Sequence, residues 1–458
     1  MEANLFLHQT LSKIITLAFA GLFSVYSFFS GVKEVKTEKP DNFEPVLRFV
    51  VCSDIHLGED ENGKKNAEKL RKLFDKAYEI AEKSEVYTEL DAILVAGDFT
   101  EQGKIEEYEI YKEITEEKLK NGTQLLTCLG NHEQIAYRDT ANPEKATEVF
   151  QEYIGTEADT HNVINGYHFI GVSYDDTGEE AFKTKTEWLR TELDKAVAET
   201  GEKPVFVYQH PHPALSVYGS VNWANMDIRM VLKDYPQVVD FSGHSHYAAN
   251  DPRSIHQSTF TAIGCGAVTG AMGNLSYISG DAYGDGESGT FWICEVDDGG
   301  NVRLRLYDVI SDCFYENIDY YLTDLADKSR RAYTWGRMMA QDTSPVFPDS
   351  AELTVSNDEE GNTLVTFPEA QGYYRAENYK ITLSRNGEKI KDLIVLSDYT
   401  RATDFEKTVN LGVLENGEYE IKVRAYSPYA KKGDTKVWEF GKGETPLVDS
   451  TVTGGNAE

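Results

Sequence analysis

At 458 residues the chain is longer than one ordinary hydrophobic core serves, so two folded domains are expected. Its 40% hydrophobic and 12% aromatic content excludes wholesale disorder. The 45 Lys and Arg against 77 Asp and Glu leave a net charge of −32, which repels polyanions and argues against long nucleic acids and anionic lipid surfaces as partners. A small phosphorylated substrate stays compatible with that charge, because bound cations reverse the field inside a pocket.

Ile14 to Val32 is a largely apolar stretch without a charged side chain, following Lys13. It is long enough to span a bilayer and longer than the usual apolar core of a secretion signal. Val25-Tyr26-Ser27 also offers a processing site, so residues 1–32 read as a signal peptide or an N-terminal membrane anchor. Lys33, Lys36 and Lys39 follow closely and leave a cytoplasmic-side anchor as the competing orientation. Export is the favoured expectation: a secreted or cell-surface protein whose membrane contact is confined to this segment. Residues 33–44 read as a polar linker.

Apolar runs of strand length then alternate with helical patterns: Leu47–Cys52, Ala92–Ala96, Leu125–Leu129, Phe169–Val172, Val205–Tyr208 and Val238–Phe241. Near-continuous apolar strands mean sheets covered on both faces. Leu70, Leu73, Phe74, Ala77, Ile80 and Ala81 recur at helical spacing, and Asn142-Pro143 reads as a capped helix start. Together these predict an α/β domain over residues 45–315. Cys52 and Cys128 sit in strand-like runs as small core residues, and the five cysteines form no CxxC pair. The Gly-rich stretch Ala262–Gly289 reads as a long loop or a set of tight turns. A connecting segment, residues 316–344, is expected next.

The grammar changes after Pro345 and Pro348. Short alternating runs appear at Leu353–Val355, Leu364–Phe367, Tyr379–Leu383, Lys407–Leu411 and Tyr419–Ala425, separated by Glu360-Gly361, Asn386-Gly387 and Asn416-Gly417. This is a β-sandwich pattern over residues 345–447, before an expected flexible tail at 448–458. Leu414, Asn416-Gly417 and Tyr419-x-Ile421-x-Val423-x-Ala425 resemble a fibronectin type III module, with Tyr419 in the corner position. Phe367 stands where that family commonly carries Trp. Such a module serves as a spacer or stabilising appendage, or as a dock for cell-wall glycans.

The chemistry lies after the apolar runs. Asp54-Ile55-His56 follows the first, Gly97-Asp98 the second and Gly130-Asn131-His132-Glu133 the third; His210 follows the Val205 run and Gly243-His244-Ser245-His246 the Val238 run. Each cluster of metal-ligand residue types falls at the carboxyl end of an expected strand, where α/β sheets assemble their sites. On a strand, Asp54 and His56 would project to one side. Glycine before Asp98, Asn131 and His244 would permit a tight turn. Mixed carboxylate, amide and imidazole donors suit a pair of divalent or trivalent ions that lower the pKa of a shared water.

In order, these blocks resemble the calcineurin-like metallophosphoesterase superfamily: Asp-x-His, Gly-Asp, Gly-Asn-His-Asp/Glu, His, Gly-His-x-His. The resemblance covers about residues 47–312. It implies two mixed β-sheets packed face to face and flanked by helices, with a dinuclear centre of Mn, Fe or Zn at one rim. By that resemblance Asp54, His56, Asp98 and His246 hold the first ion, and Asp98, Asn131, His210 and His244 the second. His132 assists the leaving oxygen of a phosphate ester, either small or part of the cell envelope. The Gly97–Thr100 run lacks the Tyr ligand of purple acid phosphatases and the Arg of the protein serine/threonine phosphatases; with Glu106-Glu107-Tyr108 it is more similar to bacterial cyclic-nucleotide phosphodiesterases. A catalytically silent surface protein working through its sandwich is the alternative, although no ligand of the set is missing. Glu133, Arg138, His212 and Tyr247 stand between site and scaffold; His161, His168 and His256 match no block and read as structural.

Overall fold

The computed structural model describes residues 39–456 apart from 141, 143, 176–178, 276–279, 284–287, 404, 444–449 and 454; the side chains of 179–184, 273–275, 280–283, 450–453 and 455–456 also lie outside that description. The apolar segment Ile14–Val32 therefore lies outside the described residues, as does Pro143. Among the described residues no helix is long and apolar enough to cross a membrane.

The chain divides into two compact units. The first spans residues up to Met272 together with Asp285–Arg337 and holds two six-stranded sheets. Its strands are β1 (Pro45–Cys52), β2 (Ala92–Ala96), β3 (Gln124–Cys128), β4 (Thr160–Ile164), β5 (Tyr167–Val172) and β6 (Val205–Gln209). They continue with β7 (Val238–Ser242), β8 (Ile255–Gln257), β9 (Thr261–Gly264), β10 (Thr290–Asp297), β11 (Val302–Asp308) and β12 (Cys313–Leu322). One sheet runs β12-β11-β10-β1-β2-β3, with β1, β2 and β3 parallel and β10 antiparallel to β1. The other runs β8-β9-β7-β6-β5-β4, with β5, β6, β7 and β9 parallel. Both are mixed sheets, as the motif resemblance implied.

Alternation along β1 shows how the layers meet. Phe49 faces the second sheet, its ring 5.1 Å from Phe169, 4.8 Å from Phe206 and 6.0 Å from Phe241. Val50 and Cys52 face the other way. There they join Leu70, Leu73, Phe74 and Ala77 of helix α1 (Glu61–Glu82), which has the apolar stripe expected of it. Helix α1 starts at Asp60, whose carboxylate accepts the Gly63 N–H at 2.7 Å. On the far face of the second sheet, Ile170, Val205 and Val207 pack with Leu189 and Leu193 of helix α2 (Glu179–Thr200) and Ile228 of helix α3 (Met226–Leu232). Each sheet is thus covered on both sides, so its strands read as unbroken apolar runs.

Some expectations are corrected. The stretch after Ala262 is not simply loop: β9 reaches Gly264, and Met272–Leu275 pairs with Gly280–Tyr283. The limit expected at residue 315 falls inside β12. The helix after Asn142 begins at Lys145 with Glu144 as its N-cap and no side-chain cap bond, so Asn142 does not cap it. All five cysteines are free, with Cys52 and Cys128 buried.

The second unit, Met338–Glu458 with Gly273–Gly284, is an all-β sandwich. A four-stranded sheet carries the expected strands Glu352–Asn357, Thr363–Pro368 and Glu406–Asn410; a five-stranded sheet carries Asn378–Arg385 and Gly417–Tyr426. Glu388–Leu396 and Lys432–Lys442 join the second sheet without having been foreseen. Tyr419 Oη donates to the Glu415 carbonyl at 2.7 Å, which forms the expected corner. The large aromatic missing at Phe367 comes from another strand: buried Trp438 stacks on Phe367 at 6.0 Å. The tail expected to be flexible contains the strands Ser450–Thr453 and Gly455–Asn456, both paired to the sandwich.

One buried charge in the first unit sets a pH dependence. Asp240 on β7 is fully buried, its Oδ1 accepting a long 3.4 Å bond from Gln209 Nε2, and burial outweighs the hydrogen bonds from Gln209 and Ser242 and pushes its carboxyl up to about 8. A raised acid binds its proton more tightly when folded, so stability falls as pH rises from the unfolded value near 4 toward 8. Asp240→Asn is expected to match the wild type in Tm at pH 4.5 and to exceed it by several degrees at pH 8. Thermal unfolding at the two pH values checks this, and an equal gap at both contradicts it.

Candidate metal centre

Five strands end at one rim of the paired sheets. Asp54 and His56 follow β1, Asp98 follows β2, Asn131 follows β3, His210 follows β6, and His244 and His246 follow β7. Asp54, His56, Asp98, His210, His244 and His246 are brought together with His132, and Asn131 stands in the loop between them and β3. The local backbone differs from the expected strand geometry. Asp54 (φ 54°), His56 (54°), Asp98 (51°), His244 (73°) and His246 (55°) are left-handed, a conformation non-glycine residues seldom adopt. Each such residue costs about 1 kcal/mol or more and persists only where its surroundings over-determine it.

Backbone hydrogen bonds do that here. The loop after β1 is zipped to the loop after β2: Asp54 N–H donates to Gly97 O at 3.2 Å, Ile55 and His56 N–H donate to Asp98 O at 2.8 and 3.1 Å, and Leu57 N–H donates to Phe99 O at 3.0 Å. Asp54 O accepts from Thr269 N–H at 3.0 Å, and His246 O from Met272 N–H at 2.6 Å. The motif glycines act differently from expectation. Only Gly97 is left-handed; Gly130 and Gly243 provide space, since a Cβ on Gly130 would lie 2.2 Å from Asp98 Oδ1 and one on Gly243 2.2 Å from Asp54 Oδ2.

The donor atoms converge in overlapping sets: Asp54, His56 and His246; Asp98, His210 and His244; and His56, Asp98 and His132, with the atoms of each set within 4.8 Å of one another. His246 Nε2 is 3.1 Å from Asp54 Oδ1 and 3.1 Å from His56 Nε2. His210 Nε2 is 2.9 Å from Asp98 Oδ2 and 3.2 Å from His244 Nδ1. Partners on the other ring atom fix three tautomers. His210 Nδ1 donates to Ala96 O at 2.8 Å, His56 Nδ1 to Glu101 Oε2 at 3.0 Å and His132 Nδ1 to Glu101 O at 2.6 Å. In the neutral rings each Nε2 then carries a lone pair; that of His210 faces the Asp98 carboxylate and His244 Nδ1, and that of His56 faces His246 Nε2, across hydrogen-bonding distance. That arrangement repels itself unless cations, protons or metal ions, lie between the atoms. Asn131 Oδ1 is buried without a hydrogen-bond partner, as an amide ligand would be in the absence of its ion. The residues therefore fit a pair of metal ions.

Electrostatics agree. Burial pushes His210 down, yet the Asp98 and Asp54 carboxylates outweigh it and hold it up at about 9; His246 is likewise raised by Asp54 against burial. Burial, with His210 nearby, pushes His244 down to about 4 and keeps it a neutral donor. Burial raises Asp98, but His210 prevails and holds it at about 2.

Two supporting carboxylates were not assigned from sequence. Glu133 is fully buried and accepts from Asp98 N–H (3.0 Å), Gly130 N–H (2.6 Å), Thr100 N–H (2.8 Å) and Thr100 Oγ (2.8 Å), joining the loops that present Asp98 and Asn131. Its place next to the Asn-His pair was the available signal. Glu101 orients both His56 and His132, and no periodicity marks it. His212 is buried between Ser242 Oγ (2.9 Å) and Ser245 Oγ (2.8 Å), bracing the loop of His244, and the ring of buried Tyr247 packs at a tilt of 43° on Tyr218, 4.4 Å between centroids. His161 and His168 bond each other at 2.8 Å and pair with Glu192 and Glu199, away from the centre.

Residues 47–248 match the model of the calcineurin-like phosphoesterase family. No curated protein matches the chain. Among solved structures, the purple acid phosphatase PPD1 from yellow lupin (Lupinus luteus) seeds is similar at 12% identity and a TM-score of 0.44, over 62% of this chain and 56% of that protein. An engineered protein is similar at 13% identity and a TM-score of 0.18, over 83% of this chain and 70% of its own. The chain thus spans little more than half the length of the lupin phosphatase.

Gly130→Ala forces its methyl against Asp98. It is expected to retain far-UV circular dichroism while at least halving the metal bound per chain, measured by elemental analysis; undiminished metal contradicts the close approach.

Proposed function

We propose, from the premise that the chain carries a calcineurin-like phosphoesterase domain and hydrolyses phosphoric ester bonds, that Asp54, His56, Asp98 and His246 hold one metal ion and Asp98, Asn131, His210 and His244 a second. The observation that carries this reading is the pair of imidazole nitrogens, on His56 and His210, aimed at other electron-pair donors with their protons committed elsewhere. Bound there, divalent or trivalent ions of Mn, Fe or Zn lower the pKa of a water and neutralise charge on phosphate oxygens.

The chain's own residues do the rest. Asp98 is fixed by the His132 N–H on Oδ1 at 2.8 Å, while Oδ2 lies 2.9 Å from His210 Nε2 and 3.9 Å from His56 Nε2, so Asp98 would serve both ions. His132 is held through Nδ1 by Glu101 O, so it is the imidazolium form that would give its Nε2 proton, 3.9 Å from Asp98 Oδ2, to the departing oxygen and be left neutral. The substrate we favour is a small phosphodiester or a broad range of small phosphate esters. The Gly97–Thr100 run supports that choice, and the strongly acidic surface disfavours a polyanionic one. We further propose work at the cell surface or beyond, on the strength of the apolar stretch Ile14–Val32. For the C-terminal sandwich we favour a fibronectin type III-like spacer, a reading supported by the Tyr419 corner.

Turnover of p-nitrophenyl phosphate and bis(p-nitrophenyl) phosphate, with metal quantified on the same sample, tests the roles. His132→Ala is expected to keep both ions and lose about 10²–10⁴-fold in kcat. Asp98→Asn is expected to lose metal and more activity than any change at a ligand serving one ion. Loss of metal in His132→Ala would make His132 a ligand instead, and no turnover of either ester under any metal loading would overturn the function.

A further inference from the structure

Trp223 is 40% exposed, and its ring meets His244 edge to face at 5.3 Å and 80°. An indole that leaves this much apolar surface in water forgoes part of the burial it could contribute to the core. Its position is nevertheless fixed by its loop. Trp223 and Asn222 N–H both donate to Gly219 O at 3.1 Å, Leu215 N–H donates to Ser220 O at 3.2 Å, and Tyr218 N–H donates to Arg253 O at 2.9 Å. Ala214 N–H donates to Asn225 O at 2.9 Å, and Arg229 Nη1 on α3 reaches Ala214 O at 2.9 Å and Leu215 O at 3.0 Å. Val221 and Met226, 43% and 48% exposed, flank Trp223 in the chain and add apolar surface. The His56 side of the centre is polar instead, with Glu101 and His132. The centre therefore has unlike flanks: carboxylate and imidazole on one, a braced indole on the other.

We infer that Trp223 receives a planar aromatic group of the substrate, which makes the substrate class a phosphate ester bearing an aryl or nucleobase ring. The inference rests on the phosphoesterase reading and extends it: the phosphate is held at the centre while the organic group packs on the indole. Offset or edge-to-face aromatic packing favours such a ring over an alkyl group of the same charge.

Phenylphosphonate and methylphosphonate separate the two contributions, because they share the phosphonate and differ only in the ring. Their binding to full-length, metal-loaded protein is measured by calorimetry, independently of turnover. Wild type is expected to prefer phenylphosphonate about fivefold. Trp223→Ala should abolish the preference and leave methylphosphonate affinity and metal content unchanged, while Trp223→Phe should retain most of it. Trp223→Leu serves the same comparison should the Ala variant not fold. A preference that survives Ala or Leu, or equal binding of both ligands to wild type, overturns this inference alone. Binding of neither phosphonate overturns the phosphoesterase reading and this inference with it.

Discussion

Lone pairs crowded into a buried pocket repel one another, and that repulsion organises the first unit of this protein. His210 commits Nδ1 to a carbonyl and turns Nε2 toward Asp98 and His244; His56 commits Nδ1 to Glu101 and turns Nε2 toward His246. Without metal the pocket takes up protons, which is what a His210 held at about 9 and a raised His246 express. The field that captures protons captures divalent cations at higher pH, so metal loading and proton release are two sides of one equilibrium. The pocket is poised for positive charge although the surface around it is strongly acidic.

A repulsive cluster of this kind survives only on a stiff support. Parallel strands from both sheets end at the same rim, and Phe49 locks the sheets together by meeting Phe169, Phe206 and Phe241. From that base the loops are stitched to one another rather than to solvent, so five left-handed residues hold their side chains inward. Glu133 is the internal staple: four donors from three residues meet one buried carboxylate. Burial and the Asp98 charge push it up to about 7 even so, a sign of how tightly negative charge is packed here.

What the sequence disclosed follows from which forces are local. The apolar runs of β1, β2, β3, β5, β6 and β7 were legible because strands covered on both faces must be apolar throughout. The ligands were legible because they follow those strands directly and combine residue types that seldom coincide. The left-handed turns at Asp54, His56 and His246 were not, since Asp and His carry no mark of a positive φ that tertiary hydrogen bonds impose. Glu101 was invisible for a related reason: its two histidine partners are 45 and 31 positions away. In the sandwich, Tyr419 announced its corner through a local motif. Trp438 gave no sign that it would stack on Phe367, because that contact joins strands distant in the chain.

The most direct test of the account is anomalous X-ray scattering from crystals of the metal-loaded protein, collected at the absorption edge of the metal it contains. The account predicts two peaks roughly 3.5–4 Å apart, with Asp98 bridging them, Asp54, His56 and His246 at one and Asn131, His210 and His244 at the other. A single peak, or two peaks outside this pocket with the histidine nitrogens still facing one another, would contradict it.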